Sequence, residues 1–287
     1  MAAQLFSGPM TSRARQPRGA AWLAARPLLA TGLLLLCVVV GAAVFAPWLA
    51  PHSPLTQARG DAPLPPSTHF PLGTDSLGRD LLSRLLFGAR YSLAIGGCAT
   101  LVALAIGLLV GLPAGYFGGM VDGALMRLVD VVMAFPSILL AVALAAVLPY
   151  RNLGTVLLVI GLVNWTTVAR VVRGETLALR EQAFVEAARA LGAGPGRVLL
   201  RHIAPHLAPT LLTVASLSAG TAILLDAGLS YLGMGLPQPT PSWGDMLREA
   251  QRWYRAAPWL AVWPGVAVLI TVGGLNMIAF DLQRRRR

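Results

Sequence analysis

From Leu28 to Ala46 the chain passes through nineteen residues without a charge. Five later stretches are almost as apolar: Tyr91 to about Pro113, about Leu125 to Leu148, about Gly154 to Val172, about Ala208 to Tyr231, and about Pro258 to Phe280. A helix needs about 20 mainly apolar residues to cross the hydrocarbon of a bilayer. Only 12% of the residues are charged and 56% are apolar, whereas a soluble domain carries roughly 25% charged residues. So few charges cannot cover a water-soluble fold of this size, but they suit a chain solvated by lipid. The pattern predicts an all-α membrane protein with six transmembrane helices. Pro136 and Pro264 fall inside two of the spans, where neighbouring helices can satisfy the freed backbone groups.

Every one of the 23 basic residues is arginine. A P-loop needs a lysine to reach the phosphates of ATP, so the chain is no ATPase of that type, and Schiff-base chemistry is excluded on the same ground. The formal charge of +11 allows a nucleic-acid reading, but the arginines flank apolar segments instead of forming one stripe. That distribution fits membrane topology, with no nucleic acid as partner. With the N-terminus inside, the inner segments hold fifteen arginines and the outer ones eight, which predicts N-in, C-in. A cleaved signal peptide is the rival for the first span, but nineteen residues exceed the usual core of about 7–15. Cys37 and Cys98 lie in apolar runs and read as small packing residues. The four histidines fall in two separate regions, and no metal-ligand cluster is visible.

The expected organisation is a cytoplasmic tail (1–26), an N-terminal transmembrane helix (27–50), an extracytoplasmic loop with an interfacial helix (51–86), a membrane core (87–281) and a basic tail (282–287). In the interfacial helix Leu81, Leu82, Leu85 and Leu86 share a face, with Arg79, Asp80 and Arg84 beside them. A second outer stretch ends in an amphipathic run, Trp243 to Arg255, whose aromatics suit headgroup depth. Asp130 follows Arg127 at helical spacing, giving an ion pair near the inner interface or a place on a polar path. Asp226 sits in an apolar run, where a charge costs a few kcal/mol or more. It either lines the path or braces a gate, or it makes a structural hydrogen bond to a neighbouring helix. Asn164 and Asn276 read as interhelical hydrogen-bonding residues. Gly107, Gly111 and Gly115 form a face for close helix packing, within this chain or against a partner.

Between the fourth and fifth spans lies a polar insertion, about 173–206. Gly174 to Ala190 reads as helix. Four of the five residues from Gly192 to Gly196 are Gly or Pro and break it. A second short helix, Arg197 to Ile203, precedes Pro205. Glu186 on such a helix can accept hydrogen bonds or pair with arginines, while Ala187, Ala188 and Gly192 keep the surface small. A short helix end seated in a cleft passes rigid motion between subunits; the plainer alternative is an ordinary solvated loop.

Glu186-Ala187-Ala188, three residues, Gly192, and Pro205 thirteen positions on resemble the EAA loop of bacterial ABC importer permeases. Ala169 to Gly192 and Arg201 to Pro205 are similar to the dipeptide, oligopeptide and nickel permeases. Pro71 to Asp80, and Gly228 to Gly235 with Ser242-Trp243-Gly244, resemble the C-type (DppC/OppC-like) subunit of these importers. Asn276-Met277-Ile278 departs from the family's usual Asn followed by Gly-Asp. The resemblance implies a type I importer fold, one N-terminal helix plus a five-helix core. It implies that Glu186, Ala187, Ala188, Arg189, Gly192 and Pro205 form the ATPase-coupling loop, and that Asp226 and Asp130 border the path or gate. It further implies a homologous second permease, two ABC ATPases that bind ATP and magnesium, an extracytoplasmic substrate-binding protein, and no cofactor or covalent chemistry in this chain. The cargo so implied is a peptide, with nickel or another metal chelate as the alternative. A reading of another class, an ion-coupled secondary transporter with Asp226 and Asp130 as proton relay, leaves the hairpin without a role.

Overall fold

The computed structural model describes residues 26–57 and 63–284. The tail expected before Arg26 and the arginines at 285–287 lie outside the described residues. Within them the regular elements are helices. Helix α1 (Pro27–Val44) and a single turn, α2 (Ala46–Leu49), lead into an irregular connection. Then come α3 (Leu81–Phe117), α4 (Gly119–Met133), α5 (Ser137–Val147) and α6 (Leu153–Arg180). Two short pieces, α7 (Ala183–Ala190) and α8 (Pro195–Arg197), continue through Val198–Ile203 and Ala204–Leu207 into α9 (Ala208–Tyr231). Helices α10 (Trp243–Ala250) and α11 (Trp259–Arg284) complete the described chain. Side chains cap three of the starts. Asp80 and Asn152 each accept an N–H three residues on at 2.9 Å, and Ser242 does so at 3.2 Å.

Contacts between termini fix the direction of each crossing. Arg26 before α1 lies 3.8 Å from Asp281 near the end of α11. Asp122 at the start of α4 binds Arg173 near the end of α6 through two contacts of 2.5 Å. At the opposite end, Arg84 in the first turn of α3 meets Asp245 on α10 at 3.5 Å, and Arg151 before α6 donates to the Gly233 carbonyl after α9 at 2.8 Å. The chain therefore crosses six times, provided that α4 and α5 together count as one crossing.

That third crossing is not the straight helix expected over Leu125 to Leu148. Its two halves meet at 87°. Pro136 has no N–H to donate, and its ring drives the preceding residue out of the helical region. The opposite correction applies at the second span, which runs on through Pro113 to Phe117 and begins at Leu81. The interfacial helix expected at its start is simply the first turns of α3. Leu81 and Arg84 are fully buried there, because the charges beside the leucines face buried partners and not water.

Helices α3 and α6 pack more closely than ordinary side chains would allow. A Cβ on Gly107 would lie 2.5 Å from Val168 Cγ1, and one on Gly111 would lie 2.5 Å from the Ala169 carbonyl oxygen. Gly115 sits against the Arg173 carbonyl in the same way. The glycine row thus joins two helices of this chain and does not serve a partner. The cysteines, expected in packed positions, are instead both exposed, which costs nothing on an apolar helix face solvated by lipid. Trp243, expected at headgroup depth, is 2% exposed and donates its indole N–H to the Leu85 carbonyl at 3.1 Å.

Candidate functional site

The polar hairpin projects from the end of the bundle where α3 and α6 finish. Helix α6 continues to Arg180, and a break at Glu181–Gln182 separates it from α7; the single helix expected from Gly174 to Ala190 is thus two. Helix α7 is amphipathic. Val185 and Ala188 are buried, while Glu186, Ala187, Arg189 and Leu191 are exposed. Ala188 therefore packs inward and does not keep an outer surface small. Leu191, 89% exposed, stands at the tip.

Gly192 has a backbone reason to be glycine. The Ala193 N–H donates to the Ala188 carbonyl and the Gly192 N–H to the Arg189 carbonyl, at 3.0 and 2.9 Å. This pair of bonds ends a helix in a Schellman turn, which puts the intervening residue in the left-handed region. Gly192 has φ +83°, and a Cβ there would meet nothing within 4 Å. Backbone conformation, not steric space, selects glycine here.

The return strand of the hairpin runs unbroken into α9 instead of stopping before Pro205. Proline removes a backbone donor and crowds the carbonyl four residues back. Pro205 and Pro209 are passed by locally widening the turn at Val198–Ile203 and tightening it at Ala204–Leu207.

The hairpin is braced to the bundle. Val185, Val198, Ile203 and Leu207 are essentially unexposed, in one apolar cluster with Leu112 of α3 and Val168 and Val172 of α6. Arg180 donates to the carbonyls of Gly115 and Tyr116 at 3.3 and 3.4 Å. The Arg189 guanidinium lies 4.9 Å from the Tyr116 ring centroid, a cation–π contact. Phe184 stacks on His206 at 4.6 Å. The piece can thus move only with α3 and α6, while its outer face is open.

Beside the hairpin's base a groove of about 660 Å³ opens between α6, α9 and α11. Its polar lining holds five hydroxyls, Thr210, Thr213, Ser218 and Thr221 from α9 and Thr167 from α6, together with Asn164, Gln283 and the charged Glu175 and Arg284. Asn164 thus opens into the groove, although the sequence reading gave it an interhelical bond. The α9 hydroxyls were not singled out from the sequence, although four of them at helical spacing in an apolar helix were a readable signal.

Neither aspartate expected near a path lines this groove. Asp226 is 1% exposed, and its Oδ1 has no hydrogen-bond partner among the described residues. Asp130 is exposed and pairs with Arg170 at 2.5 Å, not with Arg127. The pairing across helices wins because α6 lies directly alongside α4, and Arg170 shares the exposed stripe of α6 with groove-lining Thr167.

At the far end of α3 a buried ion cluster ties three segments together. Asp75 accepts from Arg79 Nε at 2.6 Å and from Arg84 Nη1 at 2.7 Å. Arg84 also reaches Asp245 and Glu249, at 3.5 and 3.6 Å. Glu249 accepts from Arg79 at 3.3 Å and from the Ser76 hydroxyl. Burial, and then the neighbouring Asp75 carboxylate, hold the Glu249 carboxyl above its ordinary range, against the opposing pull of Ser76 and Arg79. The sequence marked Arg79 and Arg84 only as charges flanking the leucines and Asp75 only as part of a resembling segment, and Asp245 and Glu249 drew no notice. The spacing of Asp75, Arg79 and Arg84, with acids at 245 and 249, was the available sign.

The family described as the binding-protein-dependent transport system inner membrane component matches residues 107–286. The N-terminal transmembrane domain of oligopeptide transport permease C matches residues 21–66. The dipeptide transport system permease protein DppC of Alkalihalophilus pseudofirmus is 38% identical over 252 residues, 88% of this chain and 83% of that protein. The glutathione transport system permease protein GsiD of Escherichia coli is 41% identical over 254 residues, 88% of this chain and 84% of that protein. Among solved structures, an inward-facing conformation of the MetNI methionine ABC transporter shares the fold. It has a TM-score of 0.55 at 20% identity, covering 70% of this chain and 94% of that one. The chain belongs to the binding-protein-dependent transport system inner membrane components, the permease subunits of ABC importers, and within them to those resembling the C-type DppC and OppC proteins.

Proposed function

We propose that this chain forms one half of the translocation path of an ATP-driven peptide importer in a bacterial cytoplasmic membrane. Its termini and the 183–207 hairpin lie in the cytosol. A second, homologous permease completes the path. Two ATPases bind ATP and magnesium beneath, and an extracytoplasmic binding protein delivers di- or oligopeptides from above. The chain itself performs no covalent chemistry. The peptide cargo is supported by the names of the relatives, which include a dipeptide and a glutathione permease.

The observation that carries this reading is the hairpin. Its inner face is locked to α3 and α6, and its outer face, with Glu186, Ala187 and Leu191, is exposed. A rigid piece with an unsatisfied outer surface transmits force from whatever seats on it. Closure of the ATPase pair moves α7, and α3 and α6 follow. Arg189 serves as a brace through Tyr116, Gly192 sets the tip, and Pro205 marks where the return strand enters α9.

The hydroxyl-lined groove is this chain's share of the path. Threonine and serine offer donors and acceptors to passing peptide groups, and Glu175 and Arg284 add one charge of each sign. Asp226, buried near the outer end of α9, braces a gate, and the Asp130–Arg170 pair borders the path from α4 and α6.

Single cysteines at Glu186, Ala187 and Leu191, in a background lacking Cys37 and Cys98, test the reading in inside-out vesicles. Crosslinks to an ATPase subunit, together with ATP-dependent uptake of a labelled dipeptide, are expected. Uptake driven by a proton gradient alone, without ATP or a co-purifying ATPase, overturns it.

A further inference from the structure

At the end of the bundle opposite the hairpin, the fold sorts its charges by sign. Asp75, Asp80 and Asp245 are no more than 2% exposed. Glu249 keeps its carboxyl against Ser76, Arg79 and Arg84, with 11% of its side chain exposed. Two arginines, Arg79 and Arg84, are consumed in holding these acids. The arginines that remain at this end face outward. Arg252 and Arg255, in the turn after α10, are exposed, as are Arg151 before α6 and Arg90 in the early turns of α3. Arg248 holds Asp245 at 2.8 Å while 39% of its side chain stays exposed. Among the described residues, this end presents several exposed cations and no exposed carboxylate.

Two of these arginines, Arg248 and Arg252, border a built surface. A groove of about 670 Å³ lies between the end of α9 and the α10 turn, edged by Gln238, Arg248, Gln251, Arg252, Trp253 and Tyr231. Glu249 borders it too, with its carboxyl turned to the ion cluster. The floor is rigid, because α10 is held by that cluster and by the buried Trp243. Arginine, tyrosine and tryptophan around a concave, amide-edged floor are the composition of a protein-binding surface. An anionic headgroup layer would need the charges but not the shape.

We propose that this groove, rimmed by Arg248 and Arg252 and with the exposed Arg255 three residues beyond, is the docking surface for an acidic rim on the extracytoplasmic substrate-binding protein. The inference rests on the importer reading above, which requires such a protein to dock at this end. Uncompensated positive charge steers a partner of opposite sign and sets its orientation, and it acts mainly on the association rate. The buried cluster beneath keeps the described acids of this end, Asp75, Asp80, Asp245 and Glu249, out of the rim.

The test uses the assembled importer, with its second permease and ATPases, in nanodiscs of neutral phosphatidylcholine. The probe is the purified binding protein that works with this permease. The paired changes Arg252→Glu and Arg255→Glu are expected to slow association about tenfold at low salt, in line with the usual size of electrostatic steering, and to flatten its salt dependence. Basal ATPase activity without the binding protein is expected to stay at the wild-type level, and it also reports that the variant is folded. Unchanged association and salt dependence overturn the docking surface while leaving the importer reading intact. An effect seen only when the nanodiscs contain phosphatidylglycerol assigns the rim to lipid and likewise overturns it. If the wild-type chain retains no ATPase at all, the importer reading falls, and this inference with it.

Discussion

The two ends of α3 solve opposite problems. At its start, Arg84 is fully buried among Asp75, Asp245 and Glu249. At its finish, Gly115 and Tyr116 hold Arg180 and Arg189, and through them a hairpin whose tip residue Leu191 is 89% exposed. The first region satisfies its charges internally and ties the outer segments into one body. The second fixes only its inner face and leaves the outer one exposed. Between them runs a helix of 37 residues, about 55 Å long at 1.5 Å per residue, pressed against α6 through three glycines. A displacement imposed at the hairpin is carried along a stiff pair of helices to a locked outer cluster, with little soft material between to absorb it.

The sharpest way to break this contrast is Arg84→Ala. The change leaves three carboxylates facing Arg79 and the partly exposed Arg248. Removing one partner from a buried ion pair typically costs about 3–5 kcal/mol, because the remaining charge stays buried. Thermal unfolding of the detergent-purified chain is expected to show the largest drop of the variants considered. Unfolding close to wild type would mean that the cluster is solvated and locks nothing.

The hairpin responds differently. Gly192→Ala places a side chain at φ +83° with open space around it, so the cost is backbone strain alone, about 1–2 kcal/mol. Co-purification of the ATPase is expected to fall markedly while the unfolding temperature falls less than for Arg84→Ala. Gly194→Ala is the control. Gly194 has φ −66° and nothing within 4 Å of an added Cβ, so it is expected to behave as wild type in both measurements. Equal losses from the two alanines would show that the tip needs small residues and not a left-handed turn.

These two regions also differ in how far the sequence foretold them. The hairpin was legible as helix, turn and second helix because its signals are local, a glycine run and a proline within one short segment, although the break at Glu181–Gln182 was not. Six crossings were legible from apolar length alone. The 87° break at Pro136 and the unbroken path through Pro113 were not, since the same residue kinks a helix or is tolerated according to what its neighbours offer the freed carbonyl. The ion cluster was missed for a related reason. Arg84 and Asp245 are 161 positions apart, and nothing in either segment alone shows that the other neutralises it. Asp130 shows the bias most plainly. Its spacing favoured Arg127 on the same helix, whereas tertiary packing supplied Arg170, forty residues away.

The smallest expected effect concerns Glu249, and it tests how tightly the outer region is closed. Burial and Asp75 raise its carboxyl above the ordinary value of 4.5. A carboxyl whose folded pKa lies above its unfolded one favours the folded state most at low pH. That contribution is fully present below the unfolded pKa and is lost as pH rises through the folded one. The window therefore opens near 4.5 and extends upward from there. Glu249→Gln is uncharged at every pH and keeps an acceptor for Ser76 and Arg79. The stability of wild type relative to this variant is expected to decline as pH rises through the window and to level off above it, followed by unfolding temperature at a series of pH values. A relative stability that instead rises as pH passes upward through 4.5 would mean that Glu249 stays ionised in the folded state beside the two arginines. The outer cluster would then be held by charge pairing strong enough to offset burial, and the difference between the closed and the open end of α3 would be greater still.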